Sequence, residues 1–156
     1  MANSLLTSAQ ICAEALTWVG TPFHNHACVK GIGVDCAMLL VGIARNLSLV
    51  APDWTPDFYP PQWHLHQNEE RYCAILESQG AMQRPLGTQQ PGHILLFRWR
   101  ATQPASHAAI AMPDEMIIHA FMARNPRDAR VRHEPFSAYY ARHLAYVYAW
   151  PGVTHE

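Results

Sequence analysis

The sequence predicts an α+β domain in which N-terminal helices pack on an antiparallel β-sheet. Apolar residues recur at helical spacing through the first half of the chain. After Gly92 they fall instead into short apolar or alternating runs separated by turn residues, as strands do. Helices first and strands afterwards is the order of an α+β arrangement, not of repeated βαβ units.

From Thr7 to Val19, the residues Ile11, Cys12, Ala15, Leu16 and Val19 keep helical spacing. Thr7 with Gln10 three residues later makes a capping box, and Gly20 makes a C-terminal stop. "TPFHNHACVKGIGVD" (21–35) is a loop, punctuated by Pro22, Gly31 and Gly33. A second helix is expected from Asp35 or Cys36 to about Leu47, and it is apolar almost all round, as buried helices are. "APDWTPDFYPPQWHLH" (51–66) holds four prolines, which forbid regular structure, and four large aromatics that either pack the loop on the body or line a groove. "NEERYCAILESQG" (68–80) reads as a short helix, with Tyr72, Ile75, Leu76 and Gln79 suitably spaced and Gly80 as its stop. The strand runs are "HILLFRW" (93–99), "SHAAIAM" (106–112), "EMIIHAF" (115–121), "RVRHEPF" (130–136) and "LAYVYAW" (144–150). Pro113-Asp114 suggests a tight hairpin between the second and third.

One domain over residues 1–156 is expected from the length. With 49% apolar and 15% charged residues the composition is that of a compact globule, not a disordered chain. A formal charge of −1 with no block of like charges gives no footprint for nucleic acid, and Arg124, Arg127, Arg130 and Arg132 read as a solvated face. No run approaches the ~18 apolar residues that cross a bilayer. The start of the chain lacks the basic residues and cleavage site of a signal peptide, so synthesis in the cytoplasm is expected. Cys12, Cys28, Cys36 and Cys73 show no Cys-x-x-Cys spacing, and reduced thiols are expected.

Cys36 is the residue on which function turns. At a helix start it faces unpaired backbone N–H groups and the positive end of the helix dipole, both of which favour the thiolate. The same N–H groups could hold the oxyanion formed when a carbonyl is attacked. The competing reading is a small buried core thiol. A nucleophilic thiol needs a base, usually histidine, oriented by a third group. Among ten histidines, His107 and His119 lie inside strand-like runs of small and apolar residues. With a turn centred near residue 113, a regular hairpin would set them opposite each other on one face.

"GTPF" (20–23), "GVDCAMLLVGIA" (33–44), "QPGHILLF" (90–97), "SHAAIAM" (106–112) and "IIHA" (117–120) follow the order seen in the NlpC/p60 superfamily of cysteine peptidases. Over roughly residues 7 to 120 the chain resembles that family, most of all its phage-associated branch. The resemblance implies a papain-like α+β fold and hydrolysis of peptidoglycan stem peptides, often between D-glutamate and a diamino acid. It implies Cys36 as nucleophile, His107 as base and His119 as the orienting polar residue. It also implies that Asp35 and Ser106 help hold the substrate, and that Phe23 stands near the oxyanion site where many members carry a tyrosine. The implied partners are the stem peptide and phage tail proteins, with a virion-associated protein acting in the cell wall or periplasm.

Four positions depart from the family pattern. Ala37-Met38 replaces Ser-Gly after the cysteine, His93 replaces an aspartate after Gly92, and Phe23 lacks a hydroxyl. They keep open a catalytically impaired tail protein on the same fold, or an amidase or acyltransferase. His24-x-His26 and His64-x-His66 are each compatible with zinc, but neither lies in a longer metal spacing. No metal or cofactor is therefore expected, and His24 and His26 are expected to line one rim of the cleft beside Cys36.

Overall fold

The structure, a computed structural model, describes residues 5–56 and 70–155. In chain order its elements are β1 (Leu6–Thr7), α1 (Ser8–Leu16), β2 (Cys28–Val29), β3 (Gly33–Val34), α2 (Cys36–Asn46), α3 (Arg71–Ser78), β4 (Met82–Arg84), β5 (Ile94–Phe97), β6 (His107–Met112), β7 (Met116–Phe121), β8 (Arg130–Pro135), α4 (Ala138–His143), β9 (Leu144–Ala149) and β10 (Val153–Thr154). Six strands form one antiparallel sheet in the order β4-β9-β5-β6-β7-β8, so the fold class is α+β as expected.

The sheet is covered on both faces, which is why β5 and β6 read as continuous apolar runs. On one face, Ile11 and Ala15 of α1 and Leu39 and Ile43 of α2 meet Ile94, Leu96, Ile110 and Ile118. On the other, Leu95, Phe97, Ala109, Ile117 and Val147 lie under Trp99, Phe136, Tyr140 and Leu144. Tyr140 comes from α4, a six-residue helix with no buried residue of its own and no side-chain cap, so its sequence carries no helical signature.

α1 has the capping box foreseen: Thr7 Oγ1 accepts from Gln10 N–H at 3.2 Å, and the Gln10 side chain accepts from Thr7 N–H at 2.9 Å. The helix ends at Leu16, three residues before the apolar spacing does, because Thr17–Gly20 turn back to bring Trp18 under α2. There Gly42 is required: a Cβ on it would lie 2.4 Å from the Trp18 ring. α3 begins at Arg71, and Gly80, at φ +88°, ends that segment.

The hairpin between β6 and β7 corrects one expectation. Met112 pairs with Met116, so the turn takes Pro113, Asp114 and Glu115, the last two at positive φ. Its centre is residue 114, not 113. Continued along the strands, this register sets Ala109 opposite His119. His107 and His119 therefore share a face as diagonal neighbours, not directly opposed partners.

Candidate active site

Asp35 caps α2. Its Oδ1 accepts from Met38 N–H and its Oδ2 from His26 N–H, both at 2.8 Å. The carboxylate thereby ties the 21–35 loop to the helix head. It is 3% exposed. Cys36 is then the first residue of the helix, where the sequence put it. Its Sγ lies 3.0 Å from Tyr72 Oη of α3 and 3.9 Å from the carbonyl oxygen of Ser106. That carbonyl belongs to the residue just before His107.

Here the structure departs from the expected pairing. Among the described residues no hydrogen bond joins Cys36 Sγ to an imidazole; the close partner is the Tyr72 hydroxyl. Nor is the thiol acidified at rest. Burial, and after it the charge of Asp35, push it up to about 11, against the downward pull of Tyr72 and of the Ala108 and Ala37 backbone. Helix-head N–H groups are present as anticipated, but desolvation of the thiolate outweighs them.

The two histidines do meet. His107 Nε2 and His119 Nδ1 are 2.7 Å apart. His119 Nε2 is 2.7 Å from Glu134 Oε1, and Tyr140 Oη donates to that same oxygen at 2.8 Å. Arg132, paired with His119 in the ladder, reaches Glu134 Oε2 at 3.8 Å. Burial lowers the pKa of both histidines, and the charge of Glu134 partly offsets this at His119. Burial alone would raise Glu134, but the bonds from Tyr140 and His119, with Arg132 nearby, hold it below the usual carboxylate range.

These facts assign the protons. An ionised Glu134 can only accept, so His119 Nε2 carries hydrogen and donates to it. Neutral His119 then presents a bare Nδ1, which accepts from His107 Nε2–H. Neutral His107 is left with a bare Nδ1, the nitrogen a general base needs. Phe97 and Trp99, with ring centroids 5.8 and 5.6 Å away, hold the His107 ring in place.

The other expected site residues lie in the loop before α2 and just before β6. Ser106, half-buried, supplies the carbonyl against Cys36 and anchors β6 by donating its N–H to Phe97 at 3.0 Å. Phe23 is half-buried and bridges Val34, two residues before Cys36. His24 is exposed, with Nδ1 3.3 Å from the carbonyl oxygen of Asn25; His26 is half-buried at φ 64°. No group of three metal-ligating side chains occurs among the described residues, and His64 and His66 lie outside them. Met38, in place of the family's glycine, is 8% exposed and packs in the core. His93, in place of aspartate, keeps an acceptor role, its Nδ1 taking Gln90 N–H at 3.0 Å. An apolar cavity of about 240 Å³ lies between α2 and α3, lined by Ala37, Leu40, Tyr72, Ile75 and Trp150 among others; Cys36 is not in its lining.

Two participants escaped the sequence reading. Glu134 could have been found by strand parity, since it sits two residues beyond the ladder partner of His119. Tyr72 lies 36 residues from Cys36 on a separate helix, and no local pattern connects them.

No protein-family model matches the chain, and no curated protein matches it in sequence. Solved structures do match in fold. The NlpC/p60 domain of the peptidoglycan hydrolase SagA aligns at a TM-score of 0.61 and 18% identity, over 92% of this chain and 99% of that one. An NlpC/p60 family protein from Bacillus cereus aligns at 0.67 and 15% identity, over 94% of this chain and 41% of that one. NlpC2 from Trichomonas vaginalis aligns at 0.63 and 14% identity, over 96% and 48%. The chain thus spans less than half the length of the last two. The fold is the papain-like α+β arrangement of NlpC/p60 domains.

Proposed function

We propose that this chain is a cysteine peptidase of the NlpC/p60 superfamily, acting on peptidoglycan stem peptides at the bond between D-glutamate and a diamino acid. The observation that carries the reading is the seating of Cys36 at the head of α2, against the residue before His107, with His107, His119 and Glu134 in an unbroken hydrogen-bonded chain. On this reading, Cys36 Sγ attacks the scissile carbonyl as its proton passes to His107 Nδ1. The resting pair is neutral thiol and neutral imidazole, so proton transfer accompanies attack. His107 then protonates the departing amine, and water, deprotonated by the same nitrogen, releases the acyl group. On this reading a bound peptide would run past Ser106, whose carbonyl faces Cys36, and past Phe23, His24 and His26 of the loop that Asp35 ties to the head of α2. The fold shared with a peptidoglycan hydrolase domain supports the substrate class. The motif order supports a phage-associated protein that meets the wall, with tail proteins as partners.

Cys36→Ala is expected to abolish release of muropeptides from purified sacculi, followed by mass spectrometry of the soluble fraction. His107→Ala is expected to match it, and His119→Ala to retain more activity, because water can partly replace an orienting group. Equal release by Cys36→Ala and wild type would end the proposal.

A second reading is a silent scaffold, favoured by the bond from Cys36 to Tyr72 in place of imidazole. It predicts wild-type protein no more active on sacculi than Cys36→Ala.

A further inference from the structure

The hydroxyl beside the thiol comes from an unexpected place. Phe23 offers none, yet a phenol stands 3.0 Å from Cys36 Sγ, delivered by α3. Tyr72 is 6% exposed, its ring packed in the core, so the oxygen is held in position by the fold. We propose that Tyr72 is a catalytic residue: its O–H is an oxyanion donor, taking over in this chain the part for which Phe23 lacks the group. The inference rests on Cys36 being the nucleophile, as proposed above.

The chemistry follows from the distance. At rest the sulfur and the phenol share one hydrogen bond. On attack the Sγ–C bond forms, the thiol proton goes to His107 Nδ1, and the carbonyl π pair moves onto oxygen. In the tetrahedral adduct that oxygen is bonded to the same carbon as the sulfur. A donor in contact with the sulfur has the oxyanion within hydrogen-bond range when the substrate binds with its carbonyl oxygen on the Tyr72 side of the thiol, which is the orientation this role requires. Negative charge grows on the oxygen, and the Tyr72 O–H transfers its bond there without moving far. Such a donor, preset in a water-poor site, contributes far more in the adduct than in the ground state. When the adduct collapses, the pair returns to re-form the carbonyl and the hydroxyl returns to the sulfur; Tyr72 keeps its proton throughout.

This role can be separated from mere support of the thiol by comparing two reactions of the same sulfur. Acylation by 4-nitrophenyl acetate passes through an oxyanion; alkylation by iodoacetamide does not. Tyr72→Phe removes one oxygen and keeps the ring. Its acylation rate at Cys36, read from the nitrophenolate burst with Cys36→Ala as blank, is expected to fall about 100-fold. Alkylation, followed by mass of the Cys36 peptide, is expected to fall no more than about tenfold, the share due to a thiolate pKa raised by a unit. A thermal melt of Tyr72→Phe serves as the check on folding. Equal losses in both reactions, no loss, or a gain on removing the hydroxyl would each overturn the proposal. If wild type is acylated normally but releases nothing from sacculi, the peptidoglycan reading fails and this one stands. If wild type is acylated no faster than Cys36→Ala, both fall.

Discussion

A histidine works as a base only from the nitrogen without a proton, and here a carboxylate two hydrogen bonds away decides which nitrogen that is. Glu134 holds hydrogen on His119 Nε2; His119 in turn holds hydrogen on His107 Nε2. On the proposed mechanism the same charge supports the imidazolium that would form when His107 takes the thiol proton. Glutamine at 134 can present either oxygen or nitrogen to His119, so both tautomers become accessible and the charge is lost. Glu134→Gln is expected to lower kcat about tenfold with KM little changed, the scale on which buried supporting groups usually act. A second readout distinguishes this from simple loosening. Because Glu134 raises the pKa of His119, its removal makes the pair harder to protonate, and the acid limb of kcat/KM should move to lower pH. A fall in rate with the limb unmoved would mean that Glu134 only braces the strand.

At the scale of elements, the site depends on α2 lying close against its neighbours, and Gly42 shows how close. Alanine in an exposed helix would be favoured over glycine by about 1 kcal/mol. Here its Cβ would stand 2.4 and 2.6 Å from two carbons of Trp18, whose Nε1–H donates to Glu14 at 3.0 Å and resists displacement. Overpacking of this kind costs about 1–3 kcal/mol, so the clash wins. Gly42→Ala should lower Tm, and a raised Tm would show that the indole can slide aside. Which elements could be foreseen follows the same logic. α1, α2 and the five long strands each bury a face, so periodicity and caps declared them. α4 buries nothing of its own, β4 has three exposed residues, and β2 and β3 are two-residue pairs; each exists only because the rest of the chain holds it. Cys36 and the histidine pair were legible because strand parity and a cap are local rules. The tie from Cys36 to Tyr72 was not, because it joins side chains 36 residues apart on two separate helices.

For the molecule as a whole, three histidines are kept neutral inside the fold, and that sets its response to acid. Burial, and then the neighbouring His155, lower His93 to about 4, while burial depresses His107 and His119 as well. In the unfolded chain each returns to about 6.5. Between those values the unfolded state binds more protons than the folded one, so stability falls as pH falls. For His93 the slope approaches about 1.4 kcal/mol per pH unit between those values and flattens below about 4, and His107 and His119 act in the same direction. Glu134, held low in the fold, adds a further loss as the pH drops through its range. The His93 share can be isolated, because its Nδ1 is an acceptor for Gln90 N–H that a neutral amide oxygen can replace. His93→Asn should keep that bond and lose the titration. Urea midpoints measured from pH 7 to pH 4 should then decline less steeply than in wild type by about one proton's worth, even if the smaller side chain lowers the starting stability. Parallel declines would place the acid sensitivity elsewhere, in the His107–His119 pair, and would mean that the ring at 93 stays protonated or solvated within the fold.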